Sequence, residues 1–140
     1  MKICIDSDTT GEDMKVFILA RLQHHQCTDL NAGDTDQYPD ISYRLAHKIA
    51  AKEYERGILI CGTGIGMAIV ANKVKGIYAG TPATIDAAKH MARSNHANVL
   101  TIGCKSTTPF SAIALVNAWL ETPFEQRINA DRMRFLEAQG

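Results

Sequence analysis

The stretch that most constrains the fold of this chain is ILICGTGIGMAIVANK, from Ile58 to Lys73. Ile58, Leu59 and Ile60 form a short, wholly apolar run, the pattern of a strand buried on both faces of a sheet. Cys61 follows, then Gly62, Gly64 and Gly66, three glycines in five residues. An apolar helix is predicted from Met67 to Lys73. A strand that ends in a glycine-rich turn and opens a helix lets the backbone approach a ligand closely. It also aims unpaired N–H groups and a partial positive charge at that ligand. Such a turn can hold an anion or a developing oxyanion, and the thiol at its lip is placed for chemistry.

The rest of the chain alternates strand and helix around this unit. Lys2 to Asp6 reads as a first strand, followed by the polar turn Ser7-Asp8-Thr9-Thr10-Gly11. A 3.6-residue period then predicts a helix from Glu12 to about His24. Cys27 to Leu30 is a second strand and Asn31 to Tyr38 a loop by composition. Pro39-Asp40 opens a helix with Ile41, Leu45, Ile49 and Ala50 on its apolar face. After the central unit, Gly76 to Gly80 is a fourth strand and Pro82 starts a helix running to about Ser94. Asn98 to Ile102 is a fifth strand. Pro109 opens the next helix, and Pro123 precedes a last amphipathic one with Ile128, Met133, Phe135 and Leu136. The alternation predicts an α/β fold, an open five-stranded parallel sheet with helices on both faces. Ligands of such folds bind at the carboxyl ends of the strands near a topological switch point. The residues to inspect are therefore Asp6 and Asp8, Cys61 to Gly66, Gly80 and Thr81, and Gly103 to Lys105.

A length of 140 residues fits one domain with its own core, and 46% hydrophobic and 21% charged residues are those of an ordinary globular protein. The 15 basic and 15 acidic residues cancel, and no basic run or acidic tail points to nucleic acid or membrane. MKICIDSD lacks the apolar core of a signal peptide, and no apolar run is long enough to span a bilayer. A cytosolic protein is expected. Cys4, Cys27, Cys61 and Cys104 lie far apart without a CxxC pair, so they read as thiols, with Cys4 and Cys27 as small buried hydrophobes. His24, His25, His47, His90 and His96 lack ligand spacing to the cysteines or each other, and no metal is expected.

Each edge residue carries two readings. Cys61 is either a nucleophile or general base beside a helix N-terminus, or a buried strand cysteine. Thr63 either donates to a substrate oxygen or caps the turn. Asp8 is either a site carboxylate or a helix cap. Arg127, Arg132, Arg134 and Lys105 are either phosphate grips or a solvated face. His90 and His96 are either acid–base groups or surface imidazoles. The G-x-G-x-G spacing is not a dinucleotide fingerprint, and no Gly-Lys-Ser/Thr closes a P-loop.

In order and spacing, the opening K-I-x-I-x-x-D, the Y-P-D of Tyr38 to Asp40, ILICGTGIG-M-x-I-x-ANK-x-x-GI, N-V-L-T-I-G from Asn98 and Thr122-Pro123-Phe124-Glu125 resemble the ribose-5-phosphate isomerase B and galactose-6-phosphate isomerase family. The likeness covers nearly the whole chain. It implies a Rossmann-like three-layer αβα sandwich and metal-free interconversion of aldose and ketose phosphates, with no cofactor. It also implies homodimers or dimers of dimers, with active sites between subunits and the C-terminal helix, about 124–137, engaged in subunit contacts. Cys61 matches the family's catalytic cysteine, which carries a proton between the carbons of an enediolate. Gly62, Gly64, Ile65 and Gly66, with Thr63, match its oxyanion loop. Asp8 matches an aspartate of substrate binding and ring opening, and Asn95 a sugar-contacting asparagine; Ser94, Thr9 and Tyr38 stand beside them on the substrate. Arg132 matches a phosphate-binding arginine, Arg127 compensates for a second one, and Lys105 stands where a partner subunit often supplies an arginine. Some members use a glutamate base in the glycine loop. Met67 holds that place here, which leaves Cys61 as the base.

The chain departs from the family's pattern in the groups that open and grip the sugar. The usual Asp-His after the first strand is Asp8-Thr9, and the usual His-Asn before the fifth strand is Ser94-Asn95. G-R-H-x-x-R is reduced to the stretch from Gln126 to Arg132. Three readings follow. The chain is an isomerase of a furanose or pyranose phosphate with a rearranged ring-opening group. Alternatively its substrate is never a ring, as with erythrulose 4-phosphate, whose relatives carry Ser-Asn at this position. In the third reading it is a sugar-phosphate-binding partner subunit with little activity alone, against which the retained Cys61, Thr63 and three glycines argue.

Overall fold

Apolar strands that cannot leave either face in water force the architecture. The computed structural model describes residues 1–30 and 37–139. Five strands, β1 (Lys2–Ser7), β2 (Gln26–Asp29), β3 (Arg56–Cys61), β4 (Ala79–Gly80) and β5 (Val99–Gly103), form one sheet in the order β2-β1-β3-β5-β4. All four pairings are parallel. Six helices connect and cover them: α1 (Glu12–Ala20), α2 (Tyr38–Ala50), α3 (Ile65–Ala71), α4 (Ile85–Arg93), α5 (Pro109–Glu121) and α6 (Gln126–Gln139).

The period-2 alternation of the strands sorts the core into two layers. Ile3, Ile5, Ile58, Ile60, Leu100 and Ile102 face α1, α4 and α5, against Ile18, Met91 and Val116. Cys4, Leu59, Cys61 and Val99 face the other way, against Ile41, Leu45 and Ile49 of α2 and Met67 and Ala71 of α3. The expected three-layer αβα sandwich with a five-stranded parallel sheet is what the chain forms. Chain order reverses between β1 and β3, so the crevice at their carboxyl ends is a topological switch point. Among the described residues no helix is long and apolar enough to cross a membrane.

Several boundaries move for local reasons. Helix α1 stops at Ala20 rather than near His24. Helix α3 begins two residues before Met67, because Gly64 takes a left-handed φ of 78° and its carbonyl accepts the Ala68 N–H at 3.2 Å. It ends before Asn72, whose side-chain amide instead clamps both backbone groups of Ala79, at 2.8 and 2.9 Å. Strand β4 is only two residues long because Asn98 ties down Gly76 and Tyr78 through its own side chain. Helix α4 starts at Ile85, not at Pro82, where Thr84 caps it by accepting the Ala87 N–H at 3.0 Å. Tyr38 belongs to α2 rather than to the preceding loop, and the rest of that predicted loop, Asn31 to Asp36, lies outside the described residues, as does the side chain of Ile128. Cys4 is fully buried, whereas Cys27, on the edge strand β2, is only half-buried.

Candidate active site

The carboxyl edge of β3 delivers Cys61 as the strand's last residue, with 6% of its surface exposed. Its Sγ accepts a hydrogen bond from the Gly64 N–H at 3.1 Å, which fixes the sulfur under the glycine turn. That turn strongly favours glycine at position 64. The φ of 78° disfavours any side chain, and a Cβ would stand 2.9 Å from the Ile102 carbonyl carbon. A Cβ on Gly66 would sit 2.7 Å from the Tyr38 ring, so Tyr38, brought in by the start of α2, lies directly over the turn. Ser42 locks α2 to α3 by donating to the Met67 carbonyl at 2.6 Å.

Thr63 is exposed at the turn, and its hydroxyl accepts the Ile65 N–H at 3.2 Å. The cap reading of Thr63 therefore describes this conformation, and the hydroxyl proton stays available to a substrate oxygen. The N–H groups of Thr63 and Gly66 have no acceptor among the described residues. They are ready donors for an anion.

Two other strand ends close on the turn. The Asp8 N–H donates to the Ile60 carbonyl at 3.2 Å, which sets the β1–α1 turn against the tip of β3. Asp8 caps that turn, its carboxylate accepting the Gly11 N–H at 3.0 Å, and Thr9 beside it is exposed. From β5, the Cys104 and Lys105 N–H groups donate to the Cys61 and Gly62 carbonyls at 2.8 and 3.0 Å. The Lys105 side chain runs along Gly62, with Nζ 3.6 Å from where a Cβ would be. Burial and the charge of Asp8 push the Cys104 thiol's pKa up, with Cys61 adding to the rise and Lys105 opposing it. Behind the turn, Lys15 is 1% exposed and pairs with Glu12 at 3.0 Å and Asp29 at 3.1 Å. Burial alone would lower its pKa, but these two partners outweigh it and hold the pKa above the usual lysine value.

Ser94, Asn95, Arg127 and Arg132 are not brought to this edge. Ser94 ends α4, its N–H on the His90 carbonyl at 2.8 Å, and the chain then enters β5 at its amino end. Helix α6 docks there: the Glu125 N–H and the Asn129 side chain both donate to the Arg93 carbonyl, at 2.9 and 3.4 Å. Arg132 Nη1 donates to Asn129 Oδ1 at 3.1 Å, while Arg127 is exposed. Asn129, only 2% exposed, was missed in the sequence; a polar residue four before Met133 on the buried stripe of α6 is the signal that could have found it. His96 also lies at this edge, stacked on Phe124 with ring centroids 4.1 Å apart, and His90 is exposed on α4. Among the described residues no group of His, Cys, Asp and Glu is arranged to hold a metal ion.

Comparison with known proteins fits this geometry. The family described as Ribose/Galactose Isomerase matches residues 3–136. A D-erythrulose-4-phosphate isomerase of Pectobacterium atrosepticum is 39% identical over 89% of this chain and 86% of its own length. A ribose-5-P isomerase B of Listeria innocua is 38% identical over 89% of this chain and 86% of its own length. The solved ribose-5-phosphate isomerase B of Clostridium thermocellum superposes with a TM-score of 0.94 at 32% identity, covering 99% of this chain and 96% of that one. With the family match spanning residues 3–136 and the fold shared with the solved relative, the chain belongs to the ribose/galactose isomerase family of sugar-phosphate isomerases.

Proposed function

We propose that this protein interconverts the aldose and ketose forms of a phosphorylated sugar, with Cys61 as the base that moves the proton. The observation that carries the reading is the Cys61 sulfur held under the Gly64 N–H beside turn N–H groups without acceptors. The thiolate takes the proton from the carbon next to the carbonyl, leaving an enediolate. The Thr63 hydroxyl and, within the Gly62–Gly66 turn, the N–H groups of Thr63 and Gly66 that have no acceptor among the described residues hold the developing oxyanion. A proton passes from one enediol oxygen to the other, and the Cys61 thiol returns its proton to the neighbouring carbon. Asp8, Thr9 and Tyr38 hold the sugar hydroxyls, and the step calls on no cofactor.

Ser94, Asn95, Arg127 and Arg132 serve the site of a second copy. Their position at the amino edge of the sheet, with the thiol at the carboxyl edge, supports a homodimer or tetramer whose active sites lie between subunits. In that assembly α6 makes subunit contacts, and the arginines, with Lys105, grip the phosphate. The substrate chemistry fits a cytoplasmic enzyme of carbohydrate metabolism.

A second reading narrows the substrate to an open-chain four-carbon phosphate. Thr9 and Ser94 offer hydroxyls rather than imidazoles, and His96 is engaged with Phe124 at the amino edge. A tetrose phosphorylated on its last oxygen forms no stable hemiacetal ring, so no ring-opening imidazole is needed. The test is aldose–ketose conversion of ribose 5-phosphate, allose 6-phosphate, galactose 6-phosphate and erythrulose 4-phosphate. Turnover of the tetrulose alone supports the open-chain reading, and strong turnover of ribose 5-phosphate defeats it. No turnover of any, with phosphates still raising Tm, points instead to a sugar-phosphate-binding subunit.

A further inference from the structure

At the amino edge of the sheet, beneath the C-terminal half of α6, lies a cleft of about 500 Å³ lined among others by Lys52, Arg56, Lys75, Tyr78, His96 and Glu137. Five separate segments build it: the end of α2, the start of β3, the α3–β4 connection, the approach to β5, and α6. Its rim gathers unusual backbone. Of the four described residues with positive φ, three line this cleft: Lys52 at 64°, His96 at 50° and Gly76 at 88°. Side chains rarely accept that region, and Lys52 and His96 are the two described non-glycine residues that do.

The charges in the cleft are poorly matched. Neither the Lys52 nor the Lys75 ammonium has a hydrogen-bond or ion-pair partner among the described residues, and Arg56 donates only to the Glu55 carbonyl, at 3.0 Å. Two carboxylates, Glu55 and Glu137, line the same space; the charge of Glu55 acts on Arg56, but neither carboxylate makes an ion pair with any of the three cations. Burial, together with repulsion from Arg56 and Lys52 that Glu137 does not cancel, holds the His96 imidazole below its ordinary pKa. The imidazole therefore sits in a positive potential. Three cations against two carboxylates leave the concave surface net positive, which favours an added anion. A guanidinium fork with two flanking ammonium groups is suited to phosphate oxygens.

We propose that this cleft binds a small phosphorylated metabolite, its phosphate on Lys52, Arg56 and Lys75, as a second anion site apart from the Cys61 turn. The lysines come from loops that take no part in the proposed chemistry.

The test uses inorganic phosphate and pyrophosphate as probes, titrated calorimetrically into the Lys105→Met/Arg127→Met/Arg132→Met protein, whose substrate-phosphate grip is removed. One site per chain is expected. Adding Lys52→Met and Lys75→Met should weaken it by about tenfold for each cation lost. Glu137→Gln should tighten it by removing a repelling carboxylate. Absence of binding, or binding unchanged by losing both lysines, overturns the proposal. In the otherwise wild-type protein, Lys52→Met/Lys75→Met should leave kcat/KM within about twofold, in the range of surface substitutions. A rise in KM matching the lost phosphate affinity would mean that the cleft holds the substrate's own phosphate, and the separate site would fall.

Discussion

The two edges of the sheet are built on opposite plans. The carboxyl edge is local and backbone-rich: Cys61, the glycine turn, Asp8 and Lys105 are joined by main-chain hydrogen bonds among three adjacent strand ends. The amino edge is made of side chains on a helix end and a docked helix, with Arg132 hooked through Asn129 to the end of α4. One plan suits a reaction that tolerates little displacement of a base and its oxyanion donors. The other suits recognition, where side chains are exchanged without disturbing the fold. The departures from the family's sugar-gripping pattern fall on side chains of both kinds, Thr9 and Ser94, while the backbone turn is untouched. In the proposed mechanism, main-chain hydrogen bonds position the chemistry, and the side chains around it set the specificity.

The sharpest way to break that division is Cys61→Ala. It should lower kcat by about 10²–10⁴-fold, the usual range for a lost general base, with little change in Tm. A rate that survives would remove the thiol from the mechanism. Arg132→Met should do the converse, raising KM by roughly ten- to a hundredfold with kcat nearly kept, as expected for lost charge-assisted contacts to a phosphate. If kcat falls instead, the amino-edge groups take part in the chemical step.

Gly64→Ala joins fold and chemistry. A left-handed alanine costs about 1–2 kcal/mol, and the close approach to Ile102 adds to it. A Tm lower by several degrees and a loss of rate should appear together, whereas a rate loss alone would make the turn a purely chemical feature. The smallest effect concerns mid-sheet Cys4, which belongs to neither edge. Burial, with the charges of Cys27 and Asp6, pushes its thiol pKa up from 9.0 to about 12. From pH 9 upward the unfolded chain gives up this proton and the native chain keeps it. The native state's advantage therefore shrinks as pH rises toward 12, by at most about 1.4 kcal/mol per unit. Thermal unfolding at pH 9 and 10.5 should show this decline, less steeply in Cys4→Ala, with activity at pH 7 unaffected. An unchanged slope would place the titration elsewhere.

The carboxyl edge was largely legible in the sequence because its information is local. Ile58 to Gly66 encodes strand, turn and helix start within nine residues, and β1, β3 and β5 announce their ends by period and composition. Even there, the left-handed Gly64 moved the start of α3, and the Tyr38 ring over Gly66 could not be read from any pattern. The family resemblance named the amino-edge residues, but no periodicity says which edge of the sheet a helix end will occupy. Nor does it show that Asn129 would be the buried link between α6 and α4. Ser94, Asn95, Arg127 and Arg132 stay at the far edge from Cys61 within one chain, and under the proposed function their place in a site depends on a second copy.

That dependence is open to a direct measurement. Cys61→Ala and Arg132→Met proteins, each with little activity at subsaturating substrate, are mixed under conditions that let subunits exchange. If each site takes its thiol from one copy and its arginine from the other, half of the randomly formed dimers regain one intact site of two, and activity returns to about a quarter of wild type. If both groups had to come from the same chain, every site in every mixed dimer would lack one of them, and the mixture would be no more active than its parts.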